Sequence, residues 1–317
     1  MWSYIARKLL YNIPVYLGII LLLMLALRVN DPVSAFLGKN QTPQDVIDLK
    51  AQLGLDRPFI QQYFSLLWDI CRLDFSVESW ANKGLTVKDM LRGSILPSLS
   101  ITLPALMLTS TISISIAIIS AFFRGRPVDR ILMIMAVIGM SVSFLVYIIF
   151  AQYWGAYLLT RSTGVEVFAI GGFEKGLANW PYYCLLPVLI STLVSMGYDT
   201  RFYRAVMVEE SSRDYITTAK AKGATKRKVM FVHMLKNAMI PIITRIMTTL
   251  PFLIMGSLLL EVYFNIPGMG RVLFKAIQEQ DFPVVQTFVA MFGGLFILSN
   301  ILTDVLYALV DPRVRLS

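Results

Sequence analysis

Apolar positions in this chain fall in long blocks, not in the strict alternation of half-buried strands. The first block, 9–27, is interrupted by Pro14. Further blocks occupy 97–123, 131–159, 181–198, 240 to about 260, and 284–310. A helix needs about 20 apolar residues to cross a bilayer, so the pattern predicts six transmembrane helices, 181–198 being rather short. The first block has span length, lacks a small-x-small cleavage site before Asn30 and is followed by further spans. It reads as an uncleaved first span, not a signal peptide.

Two polar intervals interrupt the pattern. In 29–95, Thr42 precedes Pro43, a cap with proline at the first helical position, and that helix should end at Gly54. Pro58 opens a second helix, through Tyr63 and Trp68 to about Arg72. Thr86-Val-Lys-Asp89 resembles a capping box leading into the next span. Trp68 and Trp80 suit a membrane interface. The interval reads as a small helical segment on the outer side. The second interval, 214–241, reads as two short helices. Ser212 or Asp214 can cap the first, and Ile216, Ala219 and Lys220 share one face. Gly223 sits where a helix end needs positive φ. Thr225 can cap a second helix from Lys226 to about Met239, with Pro241 as its boundary.

Composition agrees with a membrane protein: of 317 residues 56% are hydrophobic, with mean hydropathy +0.64. The net charge of +9 would suggest nucleic acid in a soluble protein. Here the cations gather at Arg7 and Lys8, at Arg124, Arg126 and Arg130, and throughout 199–239. The short loops of the other side hold only Arg161 and Lys175, Arg271 and Lys275. The positive-inside rule then puts both termini and 199–239 in the cytoplasm, with 29–95 outside; long loops such as 29–95 count weakly in it. The division is 1–28, tail and first span; 29–95, outer segment; 96–317, membrane core with loop 199–239. Lys220, Lys222, Lys226, Arg227, Lys228 and Lys236 beside apolar Val229 to Val232 also suit a membrane surface.

Little points to covalent chemistry. No G-x-x-x-x-G-K-[ST] occurs, so an ATP-driven process would need its ATPase on another chain. There is no H-E-x-x-H, and Gly139-Met-Ser-Val-Ser143 lacks the second glycine of a nucleophile elbow. His233 is the only histidine, which argues against a multi-histidine metal site; Cys71 and Cys184 read as unlinked thiols. Asn265-Ile-Pro-Gly-Met-Gly270 reads as a turn. The hydroxyls of the second span (Thr109, Ser110, Thr111, Ser113, Ser115), and Ser141 and Ser143 of the third, permit close helix packing, a minority lining a polar path. Arg245 and Asp304 fall at similar depth near the inner face and are expected either to pair or to snorkel separately. A secondary transporter and a non-transport membrane assembly protein both remain open at this point.

Three motifs carry a resemblance. The first is Tyr215-Ile-Thr-Thr-Ala-Lys-Ala-Lys-Gly223 followed by Val229-x-x-x-His233-x-Leu235-x-Asn237-Ala-Met-x-Pro241. The second is Glu261-Val-Tyr-Phe-Asn-Ile-Pro-Gly-Met-Gly-Arg271 with Asp281-Phe-Pro-Val-Val-Gln286. The third is Leu53-Gly-Leu-Asp-Arg-Pro58, and the ending Asp311-Pro-Arg313 also fits. They resemble the ABC-importer permeases of the dipeptide/oligopeptide/nickel family over nearly the whole chain. Thr217 and Thr218 depart from the general E-A-A-x-x-x-G motif, which bears on subclass more than class.

The resemblance implies an all-α integral membrane permease of the bacterial inner membrane. It implies six spans, an extracytoplasmic helical segment after the first, and a cytoplasmic coupling helix between the fourth and fifth. Asp214, Tyr215, Ile216, Thr217, Thr218, Ala219, Lys220, Ala221, Lys222 and Gly223 would form the ATPase-coupling helix, with small Ala219 and Ala221 suiting close approach to a partner. His233, Asn237 and Pro241 would support it. Implied partners are a second similar permease, two ATPase subunits that hydrolyse ATP with Mg, an extracytoplasmic solute-binding protein and membrane lipid. This chain would bind no cofactor or metal and catalyse no reaction. The implied solute is a di- or oligopeptide; the residues do not separate peptides from nickel chelates or sugars.

Overall fold

The computed structural model describes residues 2–29, 43–52, 55–255 and 257–310. Thr42, the Leu53-Gly54 pair and Asp311-Pro312-Arg313 lie outside them. Among the described residues the regular structure is helical, apart from one isolated bridge, Glu78 to Thr86. Five helices are long and apolar enough to cross a membrane, and a sixth span exists if one sharply bent pair counts as one.

Two compact units divide the chain. The first combines Met1–Pro97 with Pro267–Ile301. Helix α1 (Trp2–Leu27) meets α3 (Phe59–Arg72) in an apolar cluster of Ile20, Met24 and Ala290, flanked by Tyr16, Tyr63, Leu66 and Ile70. The Tyr63 hydroxyl donates to the Leu17 carbonyl at 2.9 Å, and Tyr16 to Ala290 at 2.9 Å. Between α1 and α3 lies α2 (Pro43–Gln52). Pro58 is the residue before α3, as its fixed φ suits. Thr86 Oγ1 accepts the Asp89 amide at 3.2 Å and donates to Asp89 Oδ2 at 2.7 Å, so one arm of the capping box forms at the start of α4 (Val87–Phe122). Asp281 is fully buried where the last span starts. It accepts the Ser79 hydroxyl and the amides of Trp80 (3.1 Å) and Ala81 (3.4 Å). Trp80 stacks on Phe282, ring centroids 5.4 Å apart. The Asn265 to Gly270 turn leads into another helix, with Asn265 at φ 53° and Gly268 just before the first helical residue.

The second unit combines Ser98–Ile266 with Leu302–Leu316. The expected third span is broken. Helix α5 (Pro127–Ser141) stops, α6 (Phe144–Phe150) starts, and the axis turns by 88°. Val142 and Ser143 are extended, and the carbonyl freed at Gly139 accepts the Tyr147 hydroxyl at 2.9 Å. A π-helical stretch, Ala151–Leu158, then carries the chain into α7 (Leu159–Thr163). It presents Gln152, whose amide reaches the carbonyls of Ile170 and Tyr263 at 2.9 and 3.0 Å.

The fourth span is not the short 181–198. Helix α8 runs Trp180–Glu210, and beyond Tyr198 its Asp199 and Arg204 find ion-pair partners on other helices, Arg245 and Asp129. The fifth starts earlier than expected. After α9 (Asp214–Ala221), the short α10 (Lys226–Lys228) passes through a π-helical Val229–Met234 into α11 (Leu235–Met255). Pro241 therefore lies inside the helix and is not its boundary. A proline there removes one backbone donor, but fully buried Ala238 and Ile242 on either side hold the helix in the core. Helices α12 (Leu258–Tyr263), α13 (Met269–Gln278) and α14 (Phe282–Val310) complete the order. Glu261 of α12, the first residue of the second motif, is fully buried and accepts the Ser98 hydroxyl at 2.6 Å.

Helices α5 and α8 approach closely because Gly197 has no side chain. A β-carbon there would stand 2.6 Å from the Ala136 carbonyl oxygen and 3.2 Å from the Met140 nitrogen. Gly197→Val should lower the thermal unfolding midpoint in detergent and reduce folded yield, by about 1–3 kcal/mol of overpacking. An unchanged melt would show that the two helices can part without loss.

Candidate coupling interface

Helix α9 begins with Asp214 in its first turn and ends at Ala221, and Gly223 beyond it takes φ +79°. The expected side-chain cap is absent. Arg213 holds the capping position with extended backbone, and the Ser212 hydroxyl instead donates backwards to the Glu209 carbonyl at 2.7 Å. The start of α9 is fixed from the end of α8. Arg213 pairs with Glu209 at 2.8 Å, and Tyr215 donates to Glu210. Burial, with the Glu210 carboxylate as acceptor, pushes the Tyr215 phenol up to about 12, so it stays a donor at neutral pH. Thr225 does cap the next helix, accepting the Lys228 amide at 3.3 Å. Lys226 lies 4.1 Å from the Phe122 ring centroid and donates to the Phe122 carbonyl at 2.8 Å, which ties the second short helix to the end of α4.

The apolar side of α9 is not free for a partner. Ile216 and Ala219 are buried in one cluster with Ala117 of α4, Tyr203 and Met207 of α8, Met230 and Met234 of the π-helical stretch, and Ala238 and Ile242 of α11. The expectation that Ala219 approaches a partner is therefore wrong: its methyl faces the core of its own chain. Lys220, expected on that face, is exposed at its rim. The open surface consists of Asp214, Thr217, Thr218, Lys220, Ala221 and Lys222. Of the supporting residues, Asn237 donates to the His233 carbonyl at 2.9 Å; His233 is half-buried in the π-helical stretch and Pro241 half-buried in α11.

Two ion pairs stand behind this surface, and neither was anticipated. Arg204 of α8 grips Asp129 of α5 with two bonds of 2.7 Å; Asp129 also accepts the Ser120 hydroxyl and the Gly125 amide. The signal was a lone acid in an otherwise basic loop, which the charge count treated only as a topology marker. Arg245 pairs with Asp199 of α8 at 2.9 Å, and not with Asp304 as matching depth suggested. Depth along two helices does not say which faces meet, and α8 supplies an acid on the facing side. Among the described residues no group of three or more His, Cys, Asp or Glu could hold a metal ion.

Comparison with known proteins agrees with this architecture. Residues 113–316 match the family described as binding-protein-dependent transport system inner membrane component. The chain is 33% identical over 317 residues to a probable peptide ABC transporter permease protein, y4tP, of Sinorhizobium fredii, covering 99% of this chain and 100% of that protein. It is 31% identical to the glutathione transport system permease protein GsiC of Escherichia coli, covering 99% of each, and of Salmonella choleraesuis.

The burial of α9 separates two neighbouring alanines. Ala219→Asp should bury an unpaired carboxylate at a cost of about 3 kcal/mol or more and remove most folded protein from the membrane fraction. Ala221→Asp, on the exposed side, should leave yield and detergent melting near wild type. Equal behaviour of the two, by size exclusion and thermal melt, would contradict the assignment of faces.

Proposed function

The chain belongs to the family of inner-membrane components of binding-protein-dependent transport systems, and from that membership we propose that it is one permease subunit of an ATP-driven importer of di- or oligopeptides. The peptide assignment is supported by the two kinds of relative, one named for peptide and one for glutathione transport. In this reading the chain carries no ATPase site. Two ATPase subunits hydrolyse ATP with Mg on the cytoplasmic side, a second similar permease completes the passage, and a solute-binding protein delivers from outside.

The observation that carries the proposal is the double character of α9. One side offers polar and small residues to solvent; the other is locked into the apolar cluster that joins α4, α8 and α11. A push on the open side cannot be absorbed by the helix alone. It is passed through Ile216 and Ala219 to Ala117 of α4, Tyr203 and Met207 of α8 and Ile242 of α11, and so to three membrane-crossing helices. Closure of the ATPases on ATP would displace α9, and the spans would follow between inward- and outward-open arrangements. Gly223, at φ +79°, lets the chain turn away before Thr225 restarts the helix. Both termini and this loop lie in the cytoplasm in this reading, as the cation-rich 199–239 requires.

Topology is checked directly. With Cys71 replaced by serine, a cysteine at exposed Thr225 should react with an impermeant maleimide only in inverted vesicles; reaction in intact cells would sink the orientation.

Coupling is checked on the open face. Thr217→Arg and Ala221→Arg should leave the chain folded, inserted and bound to its partner permease. They should cut ATPase recovery in pull-downs about tenfold, as for loss of roughly 1.4 kcal/mol of binding, and abolish solute-stimulated hydrolysis in reconstituted membranes. Normal recovery and normal stimulation in both would leave 199–239 as a topology signal and reopen the secondary-transporter reading.

A further inference from the structure

Within the second unit, between α4, the bend at Phe144, α8 and α11, lies a cavity of about 370 Å³. Its wall is unusual for a place inside a membrane-crossing bundle. Thr102 and Thr109 of α4, Ser191 and Ser195 of α8, and Thr249 of α11 bring hydroxyls to it, and Asp199 brings the only charge. The spacing is helical: Ser191, Ser195 and Asp199 follow at intervals of four on α8, and Thr102 and Thr109 at an interval of seven on α4. Two helices therefore turn a polar stripe to the same space. Hydroxyls that served only close helix packing would be covered by the neighbouring helix. These residues also border a space with room for several waters, although Thr102 and Thr109 are largely buried and the Thr102 and Thr249 hydroxyls donate to the Ser98 and Ile246 carbonyls of their own helices.

Asp199 is the informative member. An acid in a spanning helix is expected to pair or to face a watery cavity, and this one does both. Its Oδ1 accepts Arg245 Nε at 2.9 Å, and among the described residues it has no other hydrogen bond. The bond is single, not the two-pronged grip that Arg204 holds on Asp129. Its side chain is 9% exposed, that of Arg245 42%, so the cation is the member able to swing away. One carboxylate oxygen is left for a donor arriving through the cavity.

We propose that this cavity is a solute-passage subsite in which Asp199 accepts hydrogen bonds from the ammonium group of a passing peptide, Arg245 acting as its internal stand-in while the site is empty. The inference rests on the importer reading above. The ligand class follows from the wall: small hydroxyls suit peptide amides in any sequence, and a single acid selects a free amino terminus. The side chains of the solute have no charged partner here, so passage is tolerant of peptide sequence.

The test uses the assembled permease–ATPase complex in membrane vesicles, with Cys71, the exposed free thiol, replaced by serine. A cysteine is placed at Ser195, one turn from Asp199. Its rates of modification by a trimethylammonium-ethyl and a sulfonatoethyl methanethiosulfonate are measured with and without ATP, and their ratio is normalised to that for a free thiol. The normalised ratio should favour the cationic reagent by about fivefold, and the Asp199→Asn, Arg245→Gln double variant should bring it back to one. The double variant leaves no lone buried cation to impair folding. Millimolar tri-alanine should slow labelling, and N-acetyl-tri-alanine should not. Failure of both reagents to label, in either nucleotide condition, overturns the watery passage. A ratio unmoved by the double variant, or equal effects of the two peptides, overturns the ammonium site. Recovery of the ATPase with the unsubstituted chain is the separate readout of the importer reading, which can fail or stand whatever the cysteine does.

Discussion

A buried carboxylate is tolerated only with a cation or several donors around it, and helix α8 is where this chain meets that demand. Arg204 holds Asp129 of α5 with both prongs of its guanidinium, and Asp199 holds Arg245 of α11 with a single bond. The two pairs fix the rotation of α8 about its own axis between its neighbours. Gly197 lies two residues before Asp199 on the same helix, on the side where α5 comes nearest. With rotation and distance both set, the remaining apolar residues of α8 have one place to go, and Tyr203 and Met207 point into the cluster that receives α9.

That arrangement gives the protein one stiff connection and one soft connection. The Asp129 side is stiff: a buried acid with four donors around it, closing the loop between α4 and α5. The Asp199 side is soft, a single bond to a half-exposed arginine. A helix held firmly at one pair and loosely at another can pivot. The pivot would lie between the cluster that receives α9 and the hydroxyl-bordered space, where a mechanical input would need to become a change in access.

Much of this was legible in the sequence, and the reasons are local. Span existence follows from apolar block length, the cap at Thr225 from its own side chain, and positive φ at Gly223 from the lack of a Cβ beyond a helix. The capping box at Thr86 and Asp89 likewise needs only residues three apart. What could not be read depends on which faces meet. Asp199 and Arg204 looked like loop residues because nothing in 199–210 announces a partner on another helix. Pro241 looked like a boundary because its cost is local, whereas the core around Ala238 and Ile242 that overrides it is tertiary. Ala219 looked free because a small residue on a polar helix carries no mark of what covers it. For the same reason the sequence names Asp304 as the one candidate partner of Arg245, whereas the partner is Asp199.

Asp281 has a consequence for how the protein is made. The Ser79 hydroxyl it holds is 202 positions earlier in the chain, and the amides of Trp80 and Ala81 wait on the same carboxylate. Ribosomes deliver residues in order, so the turn at 79–82 is left open while the residues between it and Asp281 are synthesised. It closes only when the start of the last span arrives. A chain that stops before Asp281 leaves that turn without its acceptor. The latch therefore makes the order of the 79–82 turn depend on a residue 202 positions later in the chain.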